Sequence, residues 1–107
     1  RGMMLSPPGS PARLPGYDLR EPTEADARAS LQRVFGPARG EERWGEACRA
    51  AGLSVGGVRT RVQLIQAVQA LAAQGGASAS VARSVEIRMR TYVRLAANAA
   101  ATAGGAP

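Results

Sequence analysis

The sequence predicts an all-α domain, a small bundle of about four helices with a disordered Pro-rich N-terminal arm. Three observations carry this expectation. Five of the seven prolines fall before Thr23, too dense for any helix to survive. Three later stretches place apolar residues at helical spacing between good caps, and a fourth runs without a break into alanines, the strongest helix formers. At 107 residues the chain has room for one domain of common size. It divides into a flexible Pro/Gly-rich arm over 1–22, a helical domain over 23–100 and a flexible tail over 101–107.

The arm holds Pro7, Pro8, Pro11, Pro15 and Pro22 with Gly2, Gly9 and Gly16 among them. Without a clean repeated PxxP element it reads as a plain arm rather than a ligand for an aromatic groove, with Leu14 and Tyr17 as the residues that would fold back on the core. Thr23 is then a good N-cap, Glu24 and Asp26 sit where the helix dipole favours anions, and Ala27, Leu31, Val34 and Phe35 repeat at helical spacing. Gly36-Pro37 ends that helix. A second helix is expected from about Glu41 to Ala51, with Trp44, Ala47, Cys48 and Ala51 on one face and Gly52 as its C-terminal cap. The third starts at Thr60, because Thr60 and Gln63 fit a capping box, and carries Val62, Ile65, Val68 and Leu71 toward Gly75-Gly76. Leu53 to Arg59 form the loop between.

The last segment, Ser78 to about Ala100, fits two periods. Val85, Ile87, Met89 and Thr91 alternate with charged residues as a half-buried strand would. At 100° per residue, however, Val81, Val85, Met89, Tyr92, Val93 and Ala96 share one face, while Arg83, Arg90 and Arg94 share the other with Ile87. Helix is the expectation, since the alanines continue it and no partner strand is evident elsewhere.

Composition narrows the function. All 14 basic residues are arginine, histidine is absent, and Cys48 is the one cysteine. The usual general bases, Schiff-base nucleophiles and His/Cys metal ligands are therefore missing, and the expectation is a non-enzymatic protein with no catalytic residues, no metal and no cofactor. The formal net charge of +6 points to an anionic partner, although an Arg-only basic set in an Ala-rich chain also follows from GC-rich coding. Cys48, on an apolar helix face without a neighbouring base, reads as a buried structural thiol. A lone cysteine, no signal-peptide pattern and no apolar run of membrane-spanning length give the expectation of a cytoplasmic chain without a membrane partner.

The most informative stretch runs from Trp44 to Val68, WGEACRAAGLSVGGVRTRVQLIQAV. Trp44, Ala47 and Cys48 stand at apolar places of a first helix, Gly52-Leu53 follow, Arg61 takes a basic place, and Leu64-Ile65, Ala67 and Val68 close the pattern. In this it resembles the helix-extended-loop-helix modules of the SAP type and of the N-terminal part of transcription-termination factor Rho. The resemblance implies nucleic-acid binding, with the loop and the start of the following helix facing phosphates. Cys48, Gly52 and Val58 also meet the spacing of a helix-turn-helix of the lactose-repressor kind, but Gly56 and Gly57 would then open the recognition helix, at about 1 kcal/mol each relative to Ala.

Two sets of arginines are candidates for binding phosphate: Arg59 and Arg61 at the loop, where backbone N–H groups of a helix start would add to their charge, and the stripe Arg83, Arg90 and Arg94. The expected function is that of a small basic nucleic-acid-binding or regulatory module. The alternative is a protein-interaction or oligomerisation domain, with homodimerisation through Val85, Met89, Tyr92 and Val93 covering the apolar face of the last helix.

Overall fold

The computed structural model describes residues 20–104, with side chains to 101. Residues 1–19 of the arm expected over 1–22, Leu14 and Tyr17 included, and residues 105–107 of the tail lie outside the described residues. Within the described residues the elements are four helices and no strand: α1 (Glu24–Phe35), α2 (Pro37–Ala50), α3 (Arg61–Ala72) and α4 (Gly76–Gly104).

Each boundary has a local cause. At α1 the Thr23 N–H donates to Asp26 Oδ2 at 2.9 Å while the Asp26 N–H donates to Thr23 Oγ1 at 3.4 Å, a reciprocal capping box. Gly36, at φ 90°, caps α1 through its N–H to Gln32 O and is also the N-cap of α2. The second helix therefore starts four residues earlier than the expected Glu41. Pro37 both terminates α1 and opens α2, because a helix's first position needs no N–H and has the φ that proline imposes. α2 ends in a Schellman arrangement, with Leu53 N–H donating to Cys48 O at 2.7 Å and Gly52, at φ 75°, donating to Arg49 O at 3.1 Å. At α3 the Gln63 N–H donates to Thr60 Oγ1, and Gln63 Oε1 accepts from the N–H groups of both Thr60 and Arg59. The stretch 51–60 is non-helical. A helix-turn-helix would need a regular helix by Val55 or Gly56, so that alternative does not fit.

The four helices close a ring in which α1 packs on α2, α2 on α3, α3 on α4 and α4 back on α1. Leu31, Trp44, Cys48, Val68, Leu71 and Val85 fill its centre, with Ala27, Ala47, Ala67 and Ala82 letting the axes approach. Trp44 is fully buried, as the sole large group on its helix face should be. Gly40 has a further role. A Cβ there would lie 2.7 Å from the Gln32 backbone N and 2.8 Å from Leu31 C, so α1 and α2 cross where only glycine fits.

Two apolar faces differ from expectation. On α3 the buried residues are Leu64, Ala67, Val68 and Leu71, while Val62 and Ile65 are exposed. A run spaced by three residues drifts about 60° backward per step, so Val62, Ile65, Val68 and Leu71 cannot all share one seam. On α1 Val34 is exposed and Phe35 only half-buried, its ring lying under the Arg43 guanidinium at 5.1 Å.

The segment that fitted both periods is helical throughout, with Val81, Ala82, Val85 and Met89 in the core. At 29 residues α4 is about 43 Å long, more than twice the length of α3. The residues expected to form a homodimer face are mostly used inside the single chain: Val85, Met89 and Tyr92 are buried and only Val93 is exposed. Among the described residues no helix is long and apolar enough to cross a membrane.

Candidate nucleic-acid interface

The two sets of candidate arginines occupy different places and have different partners. Arg59 is exposed at the end of the loop. The Nε–H of Arg61, in the first turn of α3, donates to Glu21 Oε2 at 2.9 Å, and the guanidinium lies over the Tyr92 ring at 5.9 Å. Glu21 raises the Arg61 pKa above its ordinary value by hydrogen bond and charge. Residues 20–22, read from sequence as the end of the arm, are thus attached to the domain: Arg20 grips Asp26 with both terminal nitrogens, Glu21 holds Arg61, and Pro22 is buried.

Some of the N–H groups at the start of α3 already have acceptors within the chain. Those of Arg59, Thr60 and Gln63 are taken by the capping box. Deeper in the loop, the Glu24 carboxylate draws three donors together. Trp44 Nε1–H donates to Oε2 at 2.8 Å, Gly56 N–H to the same oxygen at 2.7 Å, and Val58 N–H to Oε1 at 3.3 Å. Gly56 stands at φ 85°, which turns its amide toward α1. Sequence reasoning assigned Glu24 only a favourable place in a first turn. Its partners lie 20, 32 and 34 residues away, and no local pattern announces them.

Arg83, Arg90 and Arg94 are exposed along α4. At 100° per residue they lie about 160° to 200° around the helix from Tyr92, so the stripe faces away from Arg61 and the loop. The structure does not bring the two sets into one surface. From Arg83 to Arg94 the stripe is about 16 Å long. Among the described residues none of its three arginines makes an ion pair, and the ion pairs present all involve Arg20, Arg28 and Arg61. Ile87, half exposed, stands within the stripe, beside a shallow groove lined by Ala72 of α3 and by Ala79, Arg83, Glu86 and Arg90 of α4. Arg88 is turned to the other side of the helix and half-buried.

The remaining polar groups belong to the fold. Arg28 forks onto Glu41 through Nε at 3.0 Å and Nη2 at 2.8 Å, and Gln32 Nε2 adds a third bond at 2.7 Å, joining α1 to α2. The Arg28 fork holds the Glu41 carboxyl below the ordinary carboxylate range. Burial acts to raise Asp26, but the Thr23 amide and the Arg20 guanidinium outweigh it and leave that carboxyl low as well. Cys48 is buried, and its thiol is pushed up first by that burial and then by the charge of Glu24. Among the described residues no three His, Cys, Asp or Glu side chains cluster as a metal site would require. No protein-family model, no characterised protein and no solved structure matches the chain.

Proposed function

We propose that the protein is a small non-enzymatic module that binds the phosphodiester backbone of nucleic acid, through the outer face of α4 rather than through the α2–α3 loop. The observation that supports this is the line of Arg83, Arg90 and Arg94, exposed and free of ion pairs among the described residues. One strand of a duplex presents a phosphate about every 3.4 Å along the axis, so a face of about 16 Å runs beside four or five of them. With Tyr92 buried and Trp44 in the core, the described residues offer no aromatic platform for bases. The affinity is accordingly weak, steeply salt-dependent and tolerant of sequence. Fluorescence anisotropy with a labelled oligothymidylate and a mixed-sequence duplex, across a range of salt, tests this. Each arginine removed from α4 lowers the salt slope by about 1, and absence of binding to either probe at low salt ends the proposal.

Ile87 favours a second reading, in which an acidic partner protein docks on the same face with an apolar residue against Ile87. Binding that survives high salt and is lost in Ile87→Ser supports that reading instead. In either case the buried, unpaired Cys48 suits a reducing, cytoplasmic setting.

A further inference from the structure

The groove between α3 and α4 has an apolar floor and a charged rim on one side only. Ala72, Ala79 and Ile87 line it together with Arg83, Glu86 and Arg90, around a volume of about 360 Å³. Ile65 extends the floor. At 100° per residue it lies about 40° from Arg61 and about 20° from Ala72, and those two residues face α4, Arg61 over the Tyr92 ring and Ala72 beside Ala79. These two pairings make α3 and α4 antiparallel, so four residues beyond Arg61 on α3 correspond to four before Tyr92 on α4, which puts Ile65 level with Ile87. Ile65 is 36% exposed and Ile87 50%. The α3 rim, from Val62 to Ala72, carries no charge, whereas the α4 rim carries Arg83, Arg90 and Arg94 against Glu86 alone.

We infer that this groove is the docking site of an acidic amphipathic helix from a partner protein, held by the same arginines that are proposed for nucleic acid, so that the two ligands exclude each other. The anion-binding role of the stripe is the one proposed above, whereas the apolar half of the site stands on the geometry alone. Arg83, Arg90 and Arg94 stand at i, i+7 and i+11, and a helix lying alongside α4 presents carboxylates at that same spacing on one face. Its neighbouring flank then carries the aliphatic side chains that cover Ile65 and Ile87. A phosphate backbone meets the arginines but leaves both isoleucines against water or sugar. A second copy of this chain does not fit the groove, since each copy brings three arginines and one glutamate to it and like charges would face one another.

The test uses the full chain and anisotropy with a labelled synthetic peptide of about four helical turns, glutamates on one face and leucines on the adjoining one, beside a second peptide in which every leucine is serine. The leucine peptide binds about tenfold more tightly than the serine peptide and displaces oligothymidylate. Ile87→Ser and Ile65→Ser each weaken the leucine peptide about threefold and leave oligothymidylate binding unchanged, whereas Arg90→Gln weakens both probes. Both isoleucine variants keep a cooperative thermal transition, because both side chains reach solvent. Val34→Ser, at an exposed aliphatic on α1, changes neither probe. The inference is overturned if the two peptides bind alike, if Ile87→Ser and Ile65→Ser bind the leucine peptide like the wild type, if Val34→Ser weakens it as much, or if the leucine peptide and oligothymidylate bind together. Oligothymidylate binding that persists in those outcomes leaves α4 as a phosphate-binding face alone. If oligothymidylate does not bind while the leucine peptide binds through Ile65 and Ile87, the docking site stands and the nucleic-acid reading falls.

Discussion

Before Ser54 eight arginines accompany seven carboxylates, whereas from Ser54 onward six accompany one. In the first region several of the described charges meet partners. Arg28 and Gln32 converge on Glu41, Arg20 grips Asp26, and Glu24 anchors the loop through Trp44, Gly56 and Val58. Along the outer face of α4 the one carboxylate is Glu86, and Arg83, Arg90 and Arg94 project without ion pairs among the described residues from a helix whose opposite side already fills the core. Equal residue types thus do different work according to the partners within reach. Arg28 joins α1 to α2 through Glu41, whereas Arg83, Arg90 and Arg94 make no ion pair among the described residues. Arg61 belongs by sequence to the second region and by contact to the first, since Glu21 reaches across to it.

This contrast predicts that substitutions in the first region change stability and that substitutions on α4 change binding. The largest effect is expected at Trp44, the biggest fully buried side chain. Trp44→Ala should cost about 3–5 kcal/mol, much of the total stability of a small domain, and leave Glu24 short of one donor. Loss of a cooperative thermal transition is the expected readout, and an unchanged melting curve would contradict it. Gly40→Ala comes next, because its Cβ would meet the backbone of α1 rather than a movable side chain. A loss of about 1–3 kcal/mol is expected from forcing the helices apart, seen in chemical denaturation as a lower midpoint with an unchanged slope.

Acid should separate the two regions without any substitution. Asp26 and Glu41 have carboxyls lowered in the folded state, so the unfolded chain takes up their protons more readily. The stability that they contribute is complete above the ordinary carboxylate pKa of about 4 and declines as pH falls through that value and below. Melting temperature followed from neutral pH into acid should fall in that window, and Asp26→Asn with Glu41→Gln should flatten the curve. Changes on α4 have the smallest effect on stability. Arg83→Gln, Arg90→Gln and Arg94→Gln should each stay within about 0.5 kcal/mol of the wild type.

The helix count and three of the boundaries were legible because they rest on local chemistry. Thr23 with Asp26, Thr60 with Gln63, and Gly52 after α2 announce caps within a few residues of themselves. The start of α2 was missed because Gly36-Pro37 serves two helices at once, and its role as a stop masked its role as a start. In α3 the buried seam includes Ala67, and in an Ala-rich helix large aliphatics alone do not mark the inner face. The site was less legible than the fold. Arg83, Arg90 and Arg94 could be placed on one face by helical period, but the partners of Arg61 and of the loop amides are carboxylates 40, 32 and 34 residues away in sequence. Such pairings depend on how α1 lies over the loop, which spacing along the chain does not specify.

The most direct test of the division between the two regions is the salt dependence of oligothymidylate binding by the triple variant Arg83→Gln, Arg90→Gln, Arg94→Gln, beside its melting temperature. The account predicts an unchanged melting temperature with a salt slope lowered by about 2, that is, about 0.7 for each phosphate contact removed from a single strand. An unchanged slope, or a slope lowered equally by Arg20→Gln with Arg28→Gln in the first region, would contradict it.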